Sequence, residues 1–370
     1  MTDENSDRSD VGQTESLRKQ AAQGTMPFFS VIIATRDRPA LFRRALESVL
    51  VQSSADIEII VINDSSTIEH QREYDPILRA AESSCARSFD LAPRPKGHGG
   101  SYVRNFGAAH ANAPYLCFLD DDDYWTDPNH LGRAQALIAG TGAFVDLYMT
   151  NQAAFLHDKQ QLGPIWLEDL PAILSGLGNR PDRYGAHTLT VDELLQSGGF
   201  CHLNTLIVRR ALYNGIGGME EAIRWEHDRD LYLRLIDRAT VMKYAPITVS
   251  RHNIPDPAEA TSITTALSYL ERLIDQLMVL NRALYLTRHP AILTYARRHK
   301  AYTLKLIAQS LASAGRHVEA AVYARDAFRT DPTVKWGGYT VWRTVRALAG
   351  PSVRVLDQDI QPPENTRNKQ

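Results

Sequence analysis

The sequence predicts an α/β protein, in which a mostly parallel central sheet is followed by a C-terminal α-helical region. Three apolar segments read as buried strands: residues 29–34, 57–63 and 115–119. Segments with helical apolar spacing alternate with them, at 41–51, 68–86 and 102–111. This strand–helix alternation is typical of a parallel sheet, and strand signals stop at about Ala258.

The chain is expected to divide into an α/β domain at 27–256 and a helical region at 257–349, flanked by a disordered N-terminal tail (1–26) and a flexible C-terminal tail (350–370). Within the α/β domain, 151–199 is expected to be irregular, 203–209 and 247–250 to be strands, and 226–238 to be an amphipathic helix.

Three helices are expected in the C-terminal region, at 262–286, 291–314 and 318–330. The spacing of apolar residues over 301–332 resembles one helical hairpin of a tetratricopeptide repeat. A single repeat cannot bury its own apolar face. We therefore expect it to pack on the α/β domain or on a second copy of the chain, as a homo-oligomer.

The composition is that of a soluble globular protein, with 44% hydrophobic and 23% charged residues. A net charge of −2 gives no reason to expect nucleic acid as a partner. No apolar stretch is long enough to span a membrane, and the N-terminus lacks the apolar segment of a secretion signal. Three widely spaced cysteines argue for a reducing compartment, so a cytoplasmic location is expected.

Polar clusters follow three of the predicted strands, at 35–38, 63–66 and 120–123. Ligands of parallel α/β sheets bind outside the carboxyl ends of the strands. The last cluster is a run of four aspartates directly behind an apolar strand. Adjacent carboxylates suit Mg²⁺ or Mn²⁺ together with substrate phosphates, although acidic runs are also common as solvated loops.

Taken in order, these segments resemble the motifs of family 2 nucleotide-sugar glycosyltransferases, which have the GT-A fold. The resemblance covers roughly residues 28–252. It is carried by five segments: Ala-Thr-Arg-Asp-Arg at 34–38, Ile-Asn-Asp-Ser-Ser at 62–66, Val-Arg-Asn at 103–105, Phe-Leu-Asp-Asp-Asp-Asp at 118–123, and His-Asp-Arg-Asp-Leu-Tyr-Leu-Arg at 227–234. The chain departs from the family pattern at Arg36, Asp37, Ser65 and His227.

The resemblance implies a role for each matching residue. Asp228 would be the catalytic base, and Asp122 would ligate a divalent cation, with His252 as a second ligand. The residues implied in nucleotide-sugar binding are Thr35, Arg36, Arg38, Asp64, Arg104, Asp120 and Asp121.

Four of these residues keep a structural alternative. Asp228 is also a plausible helix N-cap, and Asp64 a turn residue after a strand. Arg104 fits a surface salt bridge equally well, and for His252 an ordinary loop histidine is favoured over a ligand.

The function implied is transfer of a sugar from a nucleotide diphosphate donor, expected to be a UDP-sugar, to an acceptor hydroxyl with inversion. Mn²⁺ or Mg²⁺ would be the cofactor, and the acceptor a carbohydrate or another hydroxyl compound of glycan or surface-polysaccharide synthesis. A lipid-linked acceptor would be met by peripheral contact with the membrane. Two alternatives remain: a nucleotidyltransferase, disfavoured because residues 34–39 contain no glycine, and a non-catalytic carbohydrate- or protein-binding scaffold.

Overall fold

The structure is a computed structural model that describes residues 26–53, 56–82, 86–163, 165–256 and 267–348. The predicted tails lie outside these residues, apart from Met26, as does the first part of the helix predicted at 262–286. The chain forms two compact units. The first comprises Met1–Glu221 and Arg238–Ile254, and the second comprises Ala222–Asp237 and Pro255–Gln370. The segment 222–237, which the sequence division leaves in the α/β domain, thus groups with the C-terminal helices.

The strands described in the first unit are β1 (Phe29–Thr35), β2 (Ile57–Asn63), β3 (Ala86–Asp90), β4 (Tyr115–Asp120), β5 (Tyr124–Trp125), β6 (Leu147–Leu156), β7 (Lys159–Gln160), β8 (His187–Leu189), β9 (Leu206–Arg209) and β10 (Met242–Asn253). These described strands form a ten-stranded sheet with the order β3-β2-β1-β4-β9-β6-β10-β5, while β7 pairs with β6 and β8 with β10.

Parallel pairing joins the longer strands of this sheet: β1 with β2 and β4, β2 with β3, and β6 with β10. Antiparallel pairing is confined to contacts made by the short strands β5, β7, β8 and β9. The prediction of a mostly parallel central sheet is confirmed.

Helices cover both faces of the sheet. The helices of this unit are α1 (Pro39–Leu50), α2 (Ile68–Glu82), α3 (Gly100–Ala109), α4 (His130–Gly140), α5 (Leu170–Gly176), α6 (Val191–Leu194) and α7 (Arg210–Gly215). Alternate residues of β1, such as Phe29 and Val31, pack in one apolar core with Phe42 and Leu46 of α1. On the other face α3 comes so close that a Cβ on Gly107 would lie 2.6 Å from Ile32 Cγ2.

Several element boundaries differ from the predictions. The helix predicted at 68–86 ends at Glu82, and the following β3 is a partly exposed edge strand whose polar sequence carries no strand signal. The strand predicted at 203–209 begins with a 3₁₀ turn, Leu203–Thr205, before β9. The segment 151–199, which was expected to be irregular, contains the end of β6 and the short elements β7, α5, β8 and α6. Packing against the rest of the unit orders these elements.

The second unit is helical in its described part. It contains α8 (His227–Arg238), α9 (Tyr269–Leu286), α10 (Pro290–Ser313), α11 (His317–Thr330) and α12 (Val334–Leu348). Buried Asp230 joins α8 to α9, because it accepts hydrogen bonds from Arg234 of its own helix at 2.9 Å and from Arg282 at 2.8 Å. The hairpin of α10 and α11 buries its repeating apolar positions, including Leu304, Ala308 and Ala324. Among the described residues, no helix is long and apolar enough to cross a membrane.

Candidate active site

The carboxyl ends of β2, β1 and β4 lie side by side in the first unit. Thr35 pairs with Asn63, and Ala34 pairs with Asp120, so the polar residues that follow each strand are brought to one edge of the sheet. The Asp64 N–H donates to the Thr35 carbonyl at 2.9 Å, which continues the parallel pairing beyond the strands. The edge at which ligands of such sheets bind is therefore lined by the predicted residues.

The acidic turn, residues Asp120–Asp123, closes with a hydrogen bond from the Asp123 N–H to the Asp120 carbonyl at 3.2 Å. Asp120, Asp122 and Asp123 each offer a carboxylate oxygen, and these oxygens lie within 4.8 Å of one another. Such an all-oxygen set suits a hard divalent cation.

Asp121 faces β1 instead. Its Oδ2 accepts from the Thr35 hydroxyl at 2.7 Å and from the Arg36 N–H at 3.4 Å. The Arg38 Nη1 donates to Asp121 Oδ1 at 3.3 Å and to Asp122 Oδ2 at 2.8 Å. Asp121 is buried, and its contacts bind the acidic turn to the loop after β1.

The acidic turn carries more negative charge than its neighbours neutralise. Burial, and then Asp123, Asp121 and Asp120, raise the pKa of Asp122 to about 7, although Arg38 opposes this shift. For Asp120, burial alone would raise the pKa, but the Arg104 guanidinium and then His202 hold it below its usual value. Arg104 donates directly to Asp120 Oδ1, so it forms a largely buried ion pair and not the surface salt bridge considered from the sequence.

Asp123 organises a second group of ligand-type side chains. His252 Nδ1 lies 2.7 Å from Asp123 Oδ2, and the Asn253 N–H donates to Asp123 Oδ1 at 2.6 Å. Although burial disfavours the imidazolium, Asp123, Asp120 and Asp122 raise the pKa of His252 to about 9. Asp123, His202 and His252 also present ligand atoms within 4.8 Å of one another.

Three residues of this centre were assigned no individual role by the family resemblance: Asp123, His202 and Asn204. Asn204 is buried, accepts from the Asp120 N–H at 3.0 Å and donates to Asp123 Oδ2 at 2.6 Å. No sequence motif identifies Asn204 or His202, because the pairing of β4 with β9 brings both residues to the acidic turn from a distant part of the chain. For Asp123, its place in the same run as Asp120 and Asp122 was an available signal.

The carboxylate of Asp64 is engaged by the loop that precedes α3. It accepts from the His98 N–H at 2.7 Å and the Gly99 N–H at 3.1 Å, and His98 Nδ1 lies 2.9 Å away. Gly97 has φ +68°, and a Cβ there would lie 2.4 Å from Asp64 Oδ2. Asp64 thus secures a glycine-rich loop, and its contact with a nucleotide base stays a prediction.

The motif departures at Arg36 and Ser65 have local structural partners. The Arg36 Nη2 donates to the Pro95 carbonyl at 3.0 Å. Ser65, which departs from the family pattern, has φ +62° and donates to the Ala92 carbonyl at 2.7 Å. This serine therefore adopts the left-handed conformation that a glycine would adopt more readily.

Asp228 lies in the second unit, at the second residue of α8. Its Oδ1 accepts from the N–H of Arg229 at 2.9 Å. Asp228 therefore lies in the first turn of α8, next to the free N–H groups of the helix N-terminus. Its assignment as catalytic base stays a prediction.

A cavity of about 370 Å³ opens in the first unit beside β6 and β10. Its lining includes Gln152, Gln160, Gln161, Glu168, Asp169 and Thr248, and none of the lining residues is basic. Gln152 Oε1 accepts from Asn204 Nδ2 at 3.4 Å. The side-chain amide of Asn204 thus links Gln152 in the cavity wall to the acidic turn.

Comparison with solved structures supports the fold. The crystal structure of S. aureus TarS 1–349 in complex with UDP-GlcNAc superposes with a TM-score of 0.58 at 16% identity, and covers 82% of this chain and 81% of TarS 1–349. The mannosyltransferase PcManGT from Pyrobaculum calidifontis, in complex with GDP-Man and Mn²⁺, gives a TM-score of 0.50 at 14% identity, over 88% of this chain and 86% of its own. The predicted GT-A fold is confirmed.

Sequence comparison identifies the family. The succinoglycan biosynthesis protein ExoW of Rhizobium meliloti is 27% identical over 189 residues, which are 50% of this chain and 56% of ExoW. The chain spans about half the length of the curated relatives it matches, 46% in one case and 56% in another. Residues 30–213 match the model of glycosyl transferase family 2, and the chain belongs to this family.

Proposed function

We propose that this chain transfers a sugar from a nucleoside diphosphate donor to an acceptor hydroxyl, with a divalent cation as cofactor and with inversion at the anomeric carbon. The observation that carries the proposal is the convergence of Asp120, Asp122 and Asp123 at the carboxyl end of β4, with carboxylate oxygens within 4.8 Å. Because the chain belongs to glycosyl transferase family 2, we interpret this group of carboxylates as part of a sugar-transfer site.

The residues present fit a divalent cation. Asp122 and Asp120 are the proposed carboxylate ligands, and the Asp123–His252 pair resembles the carboxylate–histidine pairs that orient metal-binding imidazoles. When bound, the cation would stabilise the negative charge that develops on the leaving diphosphate. Mn²⁺ and Mg²⁺ are both proposed, and PcManGT offers a precedent for Mn²⁺ in this fold.

The remaining residues of the edge bind and position the donor in this proposal. Arg38 and Arg104 hold cationic guanidiniums against the acidic turn, where they would add positive charge near a diphosphate. Thr35 and Asp64 lie at the ends of neighbouring strands, as a base pocket at this edge requires. A UDP-sugar is the proposed donor, as in the TarS complex, whereas PcManGT binds GDP-Man.

The acceptor hydroxyl must lose a proton as it attacks, and Asp228 is the proposed general base. A positioned carboxylate contributes roughly 10²–10⁴-fold to such a step. Attack from the side opposite the leaving diphosphate inverts the anomeric configuration.

The cavity beside β6 is the proposed acceptor site. It lies one hydrogen-bonded amide away from the acidic turn, and its amides and carboxylates suit the hydroxyl groups of a carbohydrate. Glycan or surface-polysaccharide synthesis is the proposed setting, in line with the name of the ExoW relative.

Calorimetric titration tests the proposal. UDP, GDP and dTDP are each titrated with and without Mn²⁺ into the wild-type protein and into Asp122→Ala. We expect one nucleotide to bind only with Mn²⁺, and this binding to be lost in Asp122→Ala. Absence of binding by every nucleotide under both conditions would refute the transferase assignment and favour a non-catalytic scaffold.

A further inference from the structure

The last described helix, α12, exposes an apolar stripe. The stripe consists of Val334, Val341, Val345 and Leu348, whose exposed fractions are 96%, 65%, 60% and 83%. Spacings of seven, four and three residues place all four on one side of a helix. Exposed aliphatic residues that form a stripe, and are not scattered singly, indicate an interaction surface.

The opposite side of α12 is fixed in place by α11. Trp336 and Thr340 are buried, and the Trp336 indole N–H and the Thr340 hydroxyl donate to the Ala324 carbonyl at 3.0 and 3.1 Å. Because these two residues define the packed side, the apolar stripe faces away from α11.

Lys335, Trp342 and Arg346 border the stripe on one flank of α12, whereas Arg343 lies on the packed side, seven residues after Trp336. Trp342 carries the Arg343 guanidinium 4.4 Å from its ring centroid and the Arg346 guanidinium 5.6 Å from it. Lys335 adds a third positive charge, and α12 contains no acidic residue. The acidic Glu319 and Asp326 of α11 are paired within their own segment, at 3.0 Å with Arg316 and 3.8 Å with Arg329.

We propose that the apolar stripe and its basic border dock α12 on the surface of an anionic lipid bilayer. A helix with an aliphatic face, a tryptophan at the edge of that face and flanking basic residues is the arrangement by which interfacial helices bind membranes. Each basic side chain near an anionic surface strengthens such binding, and the effect weakens with salt. Charge complementarity is what selects an anionic bilayer over an uncharged one. The proposal does not depend on the transferase activity.

Cosedimentation of the full chain with vesicles tests this docking. One set of vesicles contains phosphatidylcholine alone, and the other an equal mixture of phosphatidylcholine and phosphatidylglycerol. The wild-type protein is expected to bind the anionic vesicles, to bind the uncharged ones far more weakly, and to be released in part by salt. Val341→Asp with Val345→Asp is expected to lower the binding by at least about tenfold, since it places two anions in the interface.

A second variant and a control separate docking from misfolding. Arg346→Glu reverses one charge of the border and should also weaken anionic-vesicle binding. Val318→Asp alters a valine that is 63% exposed on α11, outside the stripe, and should bind as the wild type does. Circular dichroism checks that all variants keep their helix content.

Two results would overturn the proposal. The first is failure of the wild type to bind anionic vesicles. The second is undiminished binding by both the Val341→Asp, Val345→Asp protein and Arg346→Glu. If the wild type does not bind vesicles but forms a dimer that the Val341→Asp, Val345→Asp protein loses, a second copy of the chain is the occupant of the stripe.

Discussion

Replacement of Asn204 by alanine should weaken cation binding although Asn204 is not a proposed ligand. Its amide bridges two parts of the acidic turn: it accepts from the Asp120 N–H at 3.0 Å and donates to Asp123 Oδ2 at 2.6 Å. Alanine removes both contacts and leaves the Asp120 N–H and one Asp123 oxygen without this partner. The turn would then no longer hold Asp120, Asp122 and Asp123 in one arrangement.

The size of the effect follows from these contacts. An unpaired buried N–H costs about 1–3 kcal/mol, and loss of a hydrogen bond to a charged group about 1.5–3 kcal/mol. We therefore expect the free energy of unfolding of Asn204→Ala to fall by about 2.5–6 kcal/mol, less whatever an entering water restores. Loss of a residue that orients metal ligands typically weakens metal affinity by about 10–100-fold.

Calorimetric titration of Mn²⁺ in the presence of saturating nucleotide measures the affinity, and urea unfolding measures the stability. Asn179→Ala is the matched control. Asn179 lies in the same unit, and its amide donates to the Thr188 carbonyl at 2.9 Å and to Glu193 at 2.8 Å, outside the acidic turn. A Mn²⁺ affinity of Asn204→Ala equal to that of Asn179→Ala would refute the argument that Asn204 positions the turn.

Further predictions concern the base, the loop before α3 and a buried histidine. Asp228→Asn should lower kcat by roughly 10²–10⁴-fold while nucleotide affinity stays at the wild-type value, and loss of nucleotide binding in calorimetry would contradict this. Gly97→Ala should destabilise the loop held by Asp64, because φ is +68° and the new Cβ would meet Asp64 Oδ2. Faster tryptic cleavage after Lys96 is the measure, with Gly142→Ala, also at positive φ but in open space, as the control. Burial lowers the pKa of His130 to about 3 from 6.5. At pH values between about 3 and 6.5, the imidazole therefore binds a proton in the unfolded state but not in the folded state, and the free energy of unfolding falls as the pH falls. The loss should be about 3 kcal/mol between pH 7 and pH 4, and an equal loss in His130→Phe would show that another group is responsible.

Much of the sheet and of the donor edge was predictable because it depends on local patterns. Strands such as β1 and β2 are buried on both faces and are therefore largely apolar. The polar clusters at 35–38, 63–66 and 120–123 stand directly behind such strands, and parallel strands bring their carboxyl ends to one edge. The edge strand β3 was missed since its exposed side chains leave no apolar signal.

The fold class, the family resemblance and the place of the acidic run could be predicted from the sequence, because these rest on apolar periodicity and on residues that are neighbours in the chain. Which carboxylates face one another depends instead on long-range contacts. Asp121 turns to Thr35, whereas Asp123 turns to Asn204 and His252. The partners that make these choices lie 81 to 129 residues away in the chain, and long-range packing of strands, which no local pattern encodes, brings them together.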